Sequence, residues 1–232
     1  MAKIKAIGFD FDGTLIISEK DKAELFEEIF YKIYGLKKGV KRVYHNLSGK
    51  INRQEKIELL IQKLLNRKPT KQEIKEFSYA FSKGYEYRLS SCPLVLCTDI
   101  LKGLKKQVKF MFLLSLENRN VVVDVAKHCG LAKYFHEILG GPKSKIDNFR
   151  HIINKHGIRP EEAVYIGDSK KDITLSKELN FKVIGIQKNF SYRSALKKLG
   201  ADFTISNLCG IPLRHVTHGH MYQRKRYKKS LD

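Results

Sequence analysis

The feature that most constrains the fold lies near the start of the chain, where an apolar stretch runs directly into an acidic glycine turn. The segment from Ile4 to Phe9 predicts a short buried strand, and Gly13 lets the backbone turn sharply. Asp10 and Asp12 therefore leave the carboxyl end of that strand together, where ligands bind in open α/β sheets. Two carboxylates in different environments suit phosphoryl transfer. Asp and Gly are also ordinary turn residues, so these residues alone leave a purely structural role open.

The rest of the chain divides into a helical part and an alternating part. Apolar spacing predicts helices over 23–34, after Asn52 and from Pro69 onward, so residues 16–92 form a helical insertion. From Asp99 onward, helices alternate with short apolar strands, which predicts an α/β core with a parallel sheet covered on both faces. The predicted strands are 108–114, 163–166, 182–186 and 202–205, and helices are predicted around 121–126, 149–153 and 195–199.

Further polar residues stand at or near predicted strand ends. Ser115 follows an apolar strand and offers a hydroxyl to a phosphate oxygen, although a serine there is also a common turn residue. Lys143 and Lys145 follow a Gly-Gly-Pro turn, and either lysine can supply positive charge to a transferring phosphoryl group. Asp168 and Asp172 follow another strand and can complete an oxygen-ligand site for Mg²⁺, or simply cap a helix.

In order along the chain, these features resemble the four motifs of the haloacid dehalogenase superfamily, which are DxDGT, a strand-end Ser or Thr, a Lys, and GDxxxD. The resemblance implies a Rossmann-like parallel sheet core at 1–15 and 93–213 and an inserted α-helical cap at 16–92. The remaining residues 214–232 are rich in Lys and Arg and are expected to form a basic tail. The cap resembles that of the phosphoglycolate phosphatase and β-phosphoglucomutase branch. Aligning Asp147 and Phe149 with the family segment KPxPDxF makes Lys143 the motif lysine, with Lys145 as the fallback.

The resemblance also implies a role for each motif residue. Asp10 is expected to be the nucleophile that forms an aspartyl-phosphate, and Asp12 the acid and base that serves the leaving alcohol and then water. Mg²⁺ is the expected cofactor, and Lys143 is expected to balance the charge of the phosphoaspartate. The expected metal ligands are Asp10, the Asp12 carbonyl and Asp168. Asp172 is expected to orient Lys143 or a metal-bound water. Thr14 and Ser115 are expected to bind the phosphate oxygens.

Departures from the family pattern lie on the cap side. Ile17 replaces an acid that many relatives carry, and Lys22 replaces the histidine of the phosphomutases, which weakens a phosphomutase interpretation. The segment Leu47–Arg53 resembles the family's substrate loop, and Arg53 is a candidate for an anionic substrate group. An exposed position in the first turn of a helix is the alternative for Arg53. The expected activity is hydrolysis of a small phosphomonoester such as phosphoglycolate or a sugar phosphate.

Charge and cysteine usage add weaker expectations. Lys and Arg outnumber Asp and Glu by 45 to 24, giving a net charge of +21 that favours anionic partners. A phosphatase for nucleic-acid ends and a nucleic-acid-binding module, acting through the basic cap and tail, are therefore alternatives.

The longest apolar stretch is too short to cross a bilayer, so we expect a soluble cytoplasmic protein. Four scattered cysteines are expected to be reduced core thiols.

Overall fold

Six short strands form a single parallel sheet in the computed structural model, which describes residues 3–47, 51, 53–91 and 94–212. The strand order is β3-β2-β1-β4-β5-β6, with every neighbouring pair parallel. This order is that of Rossmann-type sheets, and it confirms the predicted α/β class. The strands are β1 Ala6–Asp10, β2 Phe110–Asn118, β3 Glu137–Gly141, β4 Ala163–Gly167, β5 Lys182–Ile186 and β6 Phe203–Ile205.

The first four α-helices after β1 in the described residues are here called the cap helices. They are α1 Glu19–Tyr34, α2 Val40–Leu47, α3 Arg53–Leu65 and α4 Lys71–Arg88. The remaining helices connect the strands: α5 Ile100–Gln107, α6 Arg119–His128, α7 Lys145–His156, α8 Lys170–Glu178 and α9 Phe190–Lys198. No helix in these described ranges is long and apolar enough to span a membrane. The division into core and cap at the stated boundaries remains a prediction.

Both faces of the sheet are covered by apolar side chains. Along β2, Met111 and Leu113 belong to one buried cluster, while Phe112 and Leu114 belong to another on the opposite face. Alternation of side chains along a strand places consecutive residues on opposite faces, so a strand buried on both sides is apolar throughout. The first cluster continues into the cap helices, where Phe26 packs against the rings of Tyr44, Phe77 and Phe81. Cap and sheet therefore share one apolar core.

Some elements differ from the sequence-based expectations. β2 extends to Asn118, so Ser115 lies within the strand rather than after it. The pairing of β2 with β3 is irregular between Leu114 and Asn118, and this irregularity carries the strand beyond its apolar run. The prediction also lacked β3, a short strand at the sheet edge with two glycines, and the short helices α2 and α5.

The expectation of reduced cysteines is wrong, since none of the cysteines that the structure describes is free. Cys97 and Cys209 form a disulfide with their Cα atoms 5.4 Å apart. The two residues are separated by 112 positions in the sequence, so their proximity depends on the return of the chain from the cap to the end of the sheet. Cysteine spacing alone does not contain that information.

Candidate active site

The turn after β1 places Asp10 and Asp12 at the carboxyl edge of the sheet. Asp10 is the last residue of β1 and pairs with Leu114 of β2. Gly13 turns the chain with a positive φ of 80°, a conformation that glycine adopts at little cost. A Cβ at this position would overlap the carboxylate of Asp168. Glycine is therefore required both for the turn and for the close approach of the second acidic turn.

That second turn follows β4 and contributes Asp168 and Asp172. Ser169 caps α8, and Asp172 Oδ2 accepts hydrogen bonds from the Ser169 amide at 3.0 Å and from its hydroxyl at 2.6 Å. This capping box uses one carboxylate oxygen and directs the other, Oδ1, into the cleft. Asp172 therefore caps α8 with one carboxylate oxygen and contacts Lys145 with the other.

Lys145 is the lysine that contacts the acidic cluster. Its Nζ lies 2.6 Å from Asp10 Oδ1 and 2.5 Å from Asp172 Oδ1, and its side chain is only 3% exposed. Lys143, the lysine chosen by the motif alignment, is exposed in the turn before α7. The structure therefore brings the fallback Lys145, and not Lys143, into contact with Asp10 and Asp172. Lys145 shares the buried face of α7 with Asn148, Phe149 and Ile152, at the spacing of one helix side.

Three carboxylates crowd the centre of the site. Oxygens of Asp10, Asp168 and Asp172 all lie within 4.8 Å of one another. Burial is the main reason why the pKa of Asp10 is raised to about 7; Asp172 adds to this rise and Lys145 opposes it. Burial and the neighbouring Asp10 and Asp172 also raise the pKa of Asp168 well above its usual value. The cluster therefore disfavours full ionisation unless a further cation is present.

Asp12 is held from the cap side. Although burial alone would raise its pKa, the Lys22 ammonium 2.6 Å from Oδ2 and the hydroxyls of Ser18 and Tyr85 hold the pKa of Asp12 below its ordinary value. Ser18 precedes α1, Lys22 lies in α1 and Tyr85 lies near the end of α4. Asp10 and Asp12 are thus two residues apart and have opposite electrostatic environments.

The sequence analysis did not identify Ser18 or Tyr85, and it considered Lys22 only as the replacement for a histidine. Helical periodicity could place Tyr85 on the buried face of α4, in line with Phe77 and Phe81. It gives no indication that the Tyr85 hydroxyl reaches Asp12, 73 positions away.

The predicted phosphate-binding hydroxyls lie beside the nucleophile candidate. Thr14 Oγ1 is 3.5 Å from Asp10 Oδ2, and both Thr14 and Ser115 are buried. Ser115 lines the cleft, and its Oγ accepts a hydrogen bond of 3.0 Å from the amide of Glu117. The structure therefore brings Thr14 and Ser115 together with Asp10; whether they bind phosphate remains a prediction.

A cavity of about 340 Å³ opens between these residues and the cap helices. Arg53, the first residue of α3, lines this cavity and forms an ion pair with Glu117, a carboxylate that the sequence analysis did not select. Arg53 Nη1 also donates to Ser82 Oγ at 2.7 Å and to the Ser78 carbonyl at 3.2 Å. Burial lowers the pKa of Arg53 to about 10. The interpretation of Arg53 as an exposed residue in a first helical turn is therefore wrong.

Two parts of the predicted binding surface lie outside the described residues. They are positions 48–50 and 52 of the predicted substrate loop, and the tail at 214–232. The prediction that the basic cap and tail bind nucleic acid stays untested.

Comparison with known proteins supplies independent information. Residues 7–186 match the family model for haloacid dehalogenase-like hydrolases. A phosphoglycolate phosphatase from Vibrio vulnificus (strain YJ016) is 27% identical over 221 residues, covering 89% of this chain and 93% of that protein. The crystal structure of a predicted phosphoglycolate phosphatase from Haemophilus somnus 129pt aligns with a TM-score of 0.74 at 22% identity, covering 89% of this chain and 96% of the other. A β-phosphoglucomutase from Clostridium difficile aligns with a TM-score of 0.76 at 19% identity, covering 93% and 96% respectively.

Proposed function

The chain belongs to the haloacid dehalogenase-like hydrolase family, and we propose that it is a Mg²⁺-dependent phosphatase acting on a small phosphomonoester. The observation that carries the proposal is the arrangement of Asp10 and Asp12 at one strand end. Lys145 contacts Asp10 and is held by Asp172, whereas Lys22 and the Tyr85 hydroxyl contact Asp12. Phosphoryl transfer through a carboxylate needs one acid as nucleophile and another for proton transfer. Phosphoglycolate and sugar phosphates are the candidate substrates, since relatives of this chain are named phosphoglycolate phosphatase.

In the first step, an Asp10 carboxylate oxygen attacks phosphorus and the bond between phosphorus and the ester oxygen breaks. Lys22, Ser18 and Tyr85 favour the ionised form of Asp12, so it takes up a proton from solvent when the phosphate dianion binds beside it. Asp12 then gives this proton to the leaving alkoxide, which departs as an alcohol. Thr14 and Ser115 orient the phosphate oxygens so that attack and departure are in line. The product of this step is an aspartyl-phosphate on Asp10 and an ionised Asp12.

In the second step, the ionised Asp12 removes a proton from a water molecule that attacks the same phosphorus. The bond between phosphorus and the Asp10 oxygen breaks, inorganic phosphate forms and the Asp10 carboxylate is regenerated. Asp12 is again protonated, so the cycle closes without a further proton carrier. Hydrogen bonds from Ser18 and Tyr85 keep Asp12 directed towards the cleft in both steps.

The donor set fits a hard divalent cation. Asp10 and Asp168 present carboxylate oxygens, and the backbone carbonyl of Asp12 would complete the protein ligands. The raised pKa values of Asp10 and Asp168 indicate that the cluster disfavours full ionisation in the absence of such a charge. When bound, the cation supplies the positive charge that lets an anionic nucleophile approach an anionic phosphate.

A screen of phosphorylated metabolites with Mg²⁺ tests the proposal. The panel includes phosphoglycolate, several sugar phosphates and a 3′-phosphorylated oligonucleotide, with phosphate release as the readout and the Asp10→Asn variant as the control. We expect release from at least one small ester by the wild type and none by the variant. Release confined to the oligonucleotide would replace this proposal with a nucleic-acid-end phosphatase.

A further inference from the structure

Glu117 is a buried carboxylate at the cleft that the proposed chemistry does not use. It is 6% exposed and lies on the extension of β2 beyond the apolar run. Its Oε1 accepts a hydrogen bond of 2.8 Å from the Asn118 amide, and its own amide donates to Ser115 Oγ at 3.0 Å. A Cβ at Gly140 of β3 would overlap the Glu117 carbonyl oxygen, so this glycine permits the packing. Backbone and side chain of Glu117 are thus both held in place.

The Glu117 carboxylate faces two cations of the cap helices. Arg53 Nη2 forms an ion pair with Oε1, and Lys22 Nζ lies 3.8 Å from Oε2. The other guanidinium nitrogen of Arg53 donates to Ser82 and Ser78, and the guanidinium carbon lies 4.6 Å from the Phe81 ring centroid. The two terminal nitrogens of Arg53 are therefore already bonded to groups of the protein. A substrate anion that approached Nη2 of Arg53 would compete with Glu117.

The charged residues that line the cavity also argue against a second anionic group on the substrate. Among the described residues that line it, five are Lys or Arg and five are Asp or Glu. A divalent cation and a phosphate dianion add no net charge to this set. A second anionic group of the substrate placed near Arg53 would lie beside the Glu117 carboxylate. Like charges brought together in a site that excludes water are strongly disfavoured.

Building on the phosphatase function proposed above, we propose that Glu117 is a specificity-determining residue. It selects phosphomonoesters whose alcohol part is neutral and carries hydroxyl groups, as in sugar and polyol phosphates, over esters that carry a carboxylate. A substrate hydroxyl can donate to the Glu117 carboxylate, which accepts hydrogen bonds at several lone pairs. A substrate carboxylate that paired with Nη2 of Arg53 would instead have to displace Glu117.

Two esters of nearly equal size separate these classes. 2-Hydroxyethyl phosphate ends in a neutral hydroxyl, and phosphoglycolate ends in a carboxylate. We expect the wild type, with Mg²⁺, to show a kcat/KM at least about tenfold higher for hydroxyethyl phosphate, which corresponds to about 1.4 kcal/mol. Glu117→Gln removes the charge but keeps an oxygen for the Asn118 amide, and it should bring the two values to within about threefold of each other.

Two control variants isolate the charge of Glu117. Glu117→Asp keeps a carboxylate and should retain the preference for the hydroxyl ester. Glu178→Gln removes one charge from an exposed position that does not line the cavity, and it should leave the ratio of the two esters unchanged. Thermal unfolding of each variant shows that it is folded at the assay temperature.

A wild type that prefers phosphoglycolate, or a ratio that Glu117→Gln leaves unchanged, overturns the proposal. Failure of the phosphatase function itself gives a different result, namely no turnover of either ester. Calorimetric binding of both esters to the Asp10→Asn variant, with and without Glu117→Gln, then decides the question. An affinity ratio that depends on Glu117 supports the role in selection, and equal affinities or no binding reject it.

Discussion

Replacing Lys145 by methionine tests how the acidic cluster is balanced. Lys145 lies within 2.6 Å of two carboxylates and is almost completely buried, so its removal leaves Asp10, Asp168 and Asp172 without their nearest cation. At a separation of 4.8 Å and an effective dielectric constant of about 20, two ionised carboxylates repel by roughly 3.5 kcal/mol. Removing one partner of a buried ion pair typically costs about 3–5 kcal/mol, which agrees with this figure.

For a chain of 232 residues, this loss corresponds to a fall in the unfolding temperature of roughly 6–20 °C at pH 8 in EDTA. Thermal unfolding followed by circular dichroism measures it. Lys143→Met is the matched control, since Lys143 is two residues away and exposed; it should change the free energy of unfolding by less than about 0.5 kcal/mol. Phosphatase activity should fall at least about a hundredfold in Lys145→Met and stay near wild type in Lys143→Met.

The pH dependence gives a second check on the same reasoning. The pKa of Asp10 is about 7 in the folded protein, above its ordinary value of 3.8. Between these values the folded state keeps a proton that the unfolded chain has released, so this group lowers stability as the pH rises from about 3.8 to about 7. Without Lys145 the penalty grows, and the deficit of Lys145→Met should be larger at pH 8 than at pH 5. An equal deficit at both values, or a larger effect from Lys143→Met, would refute the assignment.

Three further outcomes follow from the site and from the sheet edge. Asp10→Asn should retain less than about one tenth of the wild-type turnover while keeping its circular dichroism spectrum, because the amide preserves size but not nucleophilicity; greater retention excludes Asp10 as the nucleophile. EDTA should abolish turnover, and Mg²⁺ should restore it; full activity with no bound metal rules out the proposed cation. Burial alone would raise the pKa of Glu137, but hydrogen bonds from His156, Lys155 and His151 to its carboxylate lower this pKa from 4.5 to about 2. Its contribution to stability should be complete above pH 4.5 and disappear as the pH falls towards 2, so the unfolding temperatures of wild type and Glu137→Gln should converge over that range.

The sequence predicts the parts of the fold that depend on local patterns. Apolar runs located five strands of the sheet, including β1 and β5, because strands buried on both faces leave a continuous signal. β3 was missed because it is a short edge strand, Glu137–Gly141, with a charged residue and two glycines. The extension of β2 past Leu114 depends on an irregular pairing with β3, which no pattern within β2 itself reveals.

The same distinction holds for the candidate site. Asp10, Asp12 and Asp168 follow recognisable strand ends, and the structure brings all three to one cleft. The choice between Lys143 and Lys145 was also contained in the sequence, since only Lys145 has the helical spacing to Phe149 and Ile152. Motif alignment was a weaker guide here than periodicity.

Contacts between the cap helices and the sheet could not be predicted in this way. The pairs Tyr85 with Asp12 and Arg53 with Glu117 are separated by 73 and 64 positions, and both depend on how the cap helices pack over the sheet. Periodicity identifies the buried face of each helix but not which residue of another element that face meets.

Asp10 and Asp12 receive their contacts from two different parts of the chain. Asp10 is surrounded by groups that the sheet and its connecting helices supply, among them Lys145 and Asp172. Asp12 is held instead by Lys22 and Tyr85 from the cap helices. The environment of Asp10 therefore comes from the sheet and its connecting helices, whereas that of Asp12 depends on the packing of the cap helices over the sheet. Because residues of the same helices, among them Lys22 and Arg53, also line the cavity, a substitution that shifts these helices should change both the environment of Asp12 and the shape of the cavity.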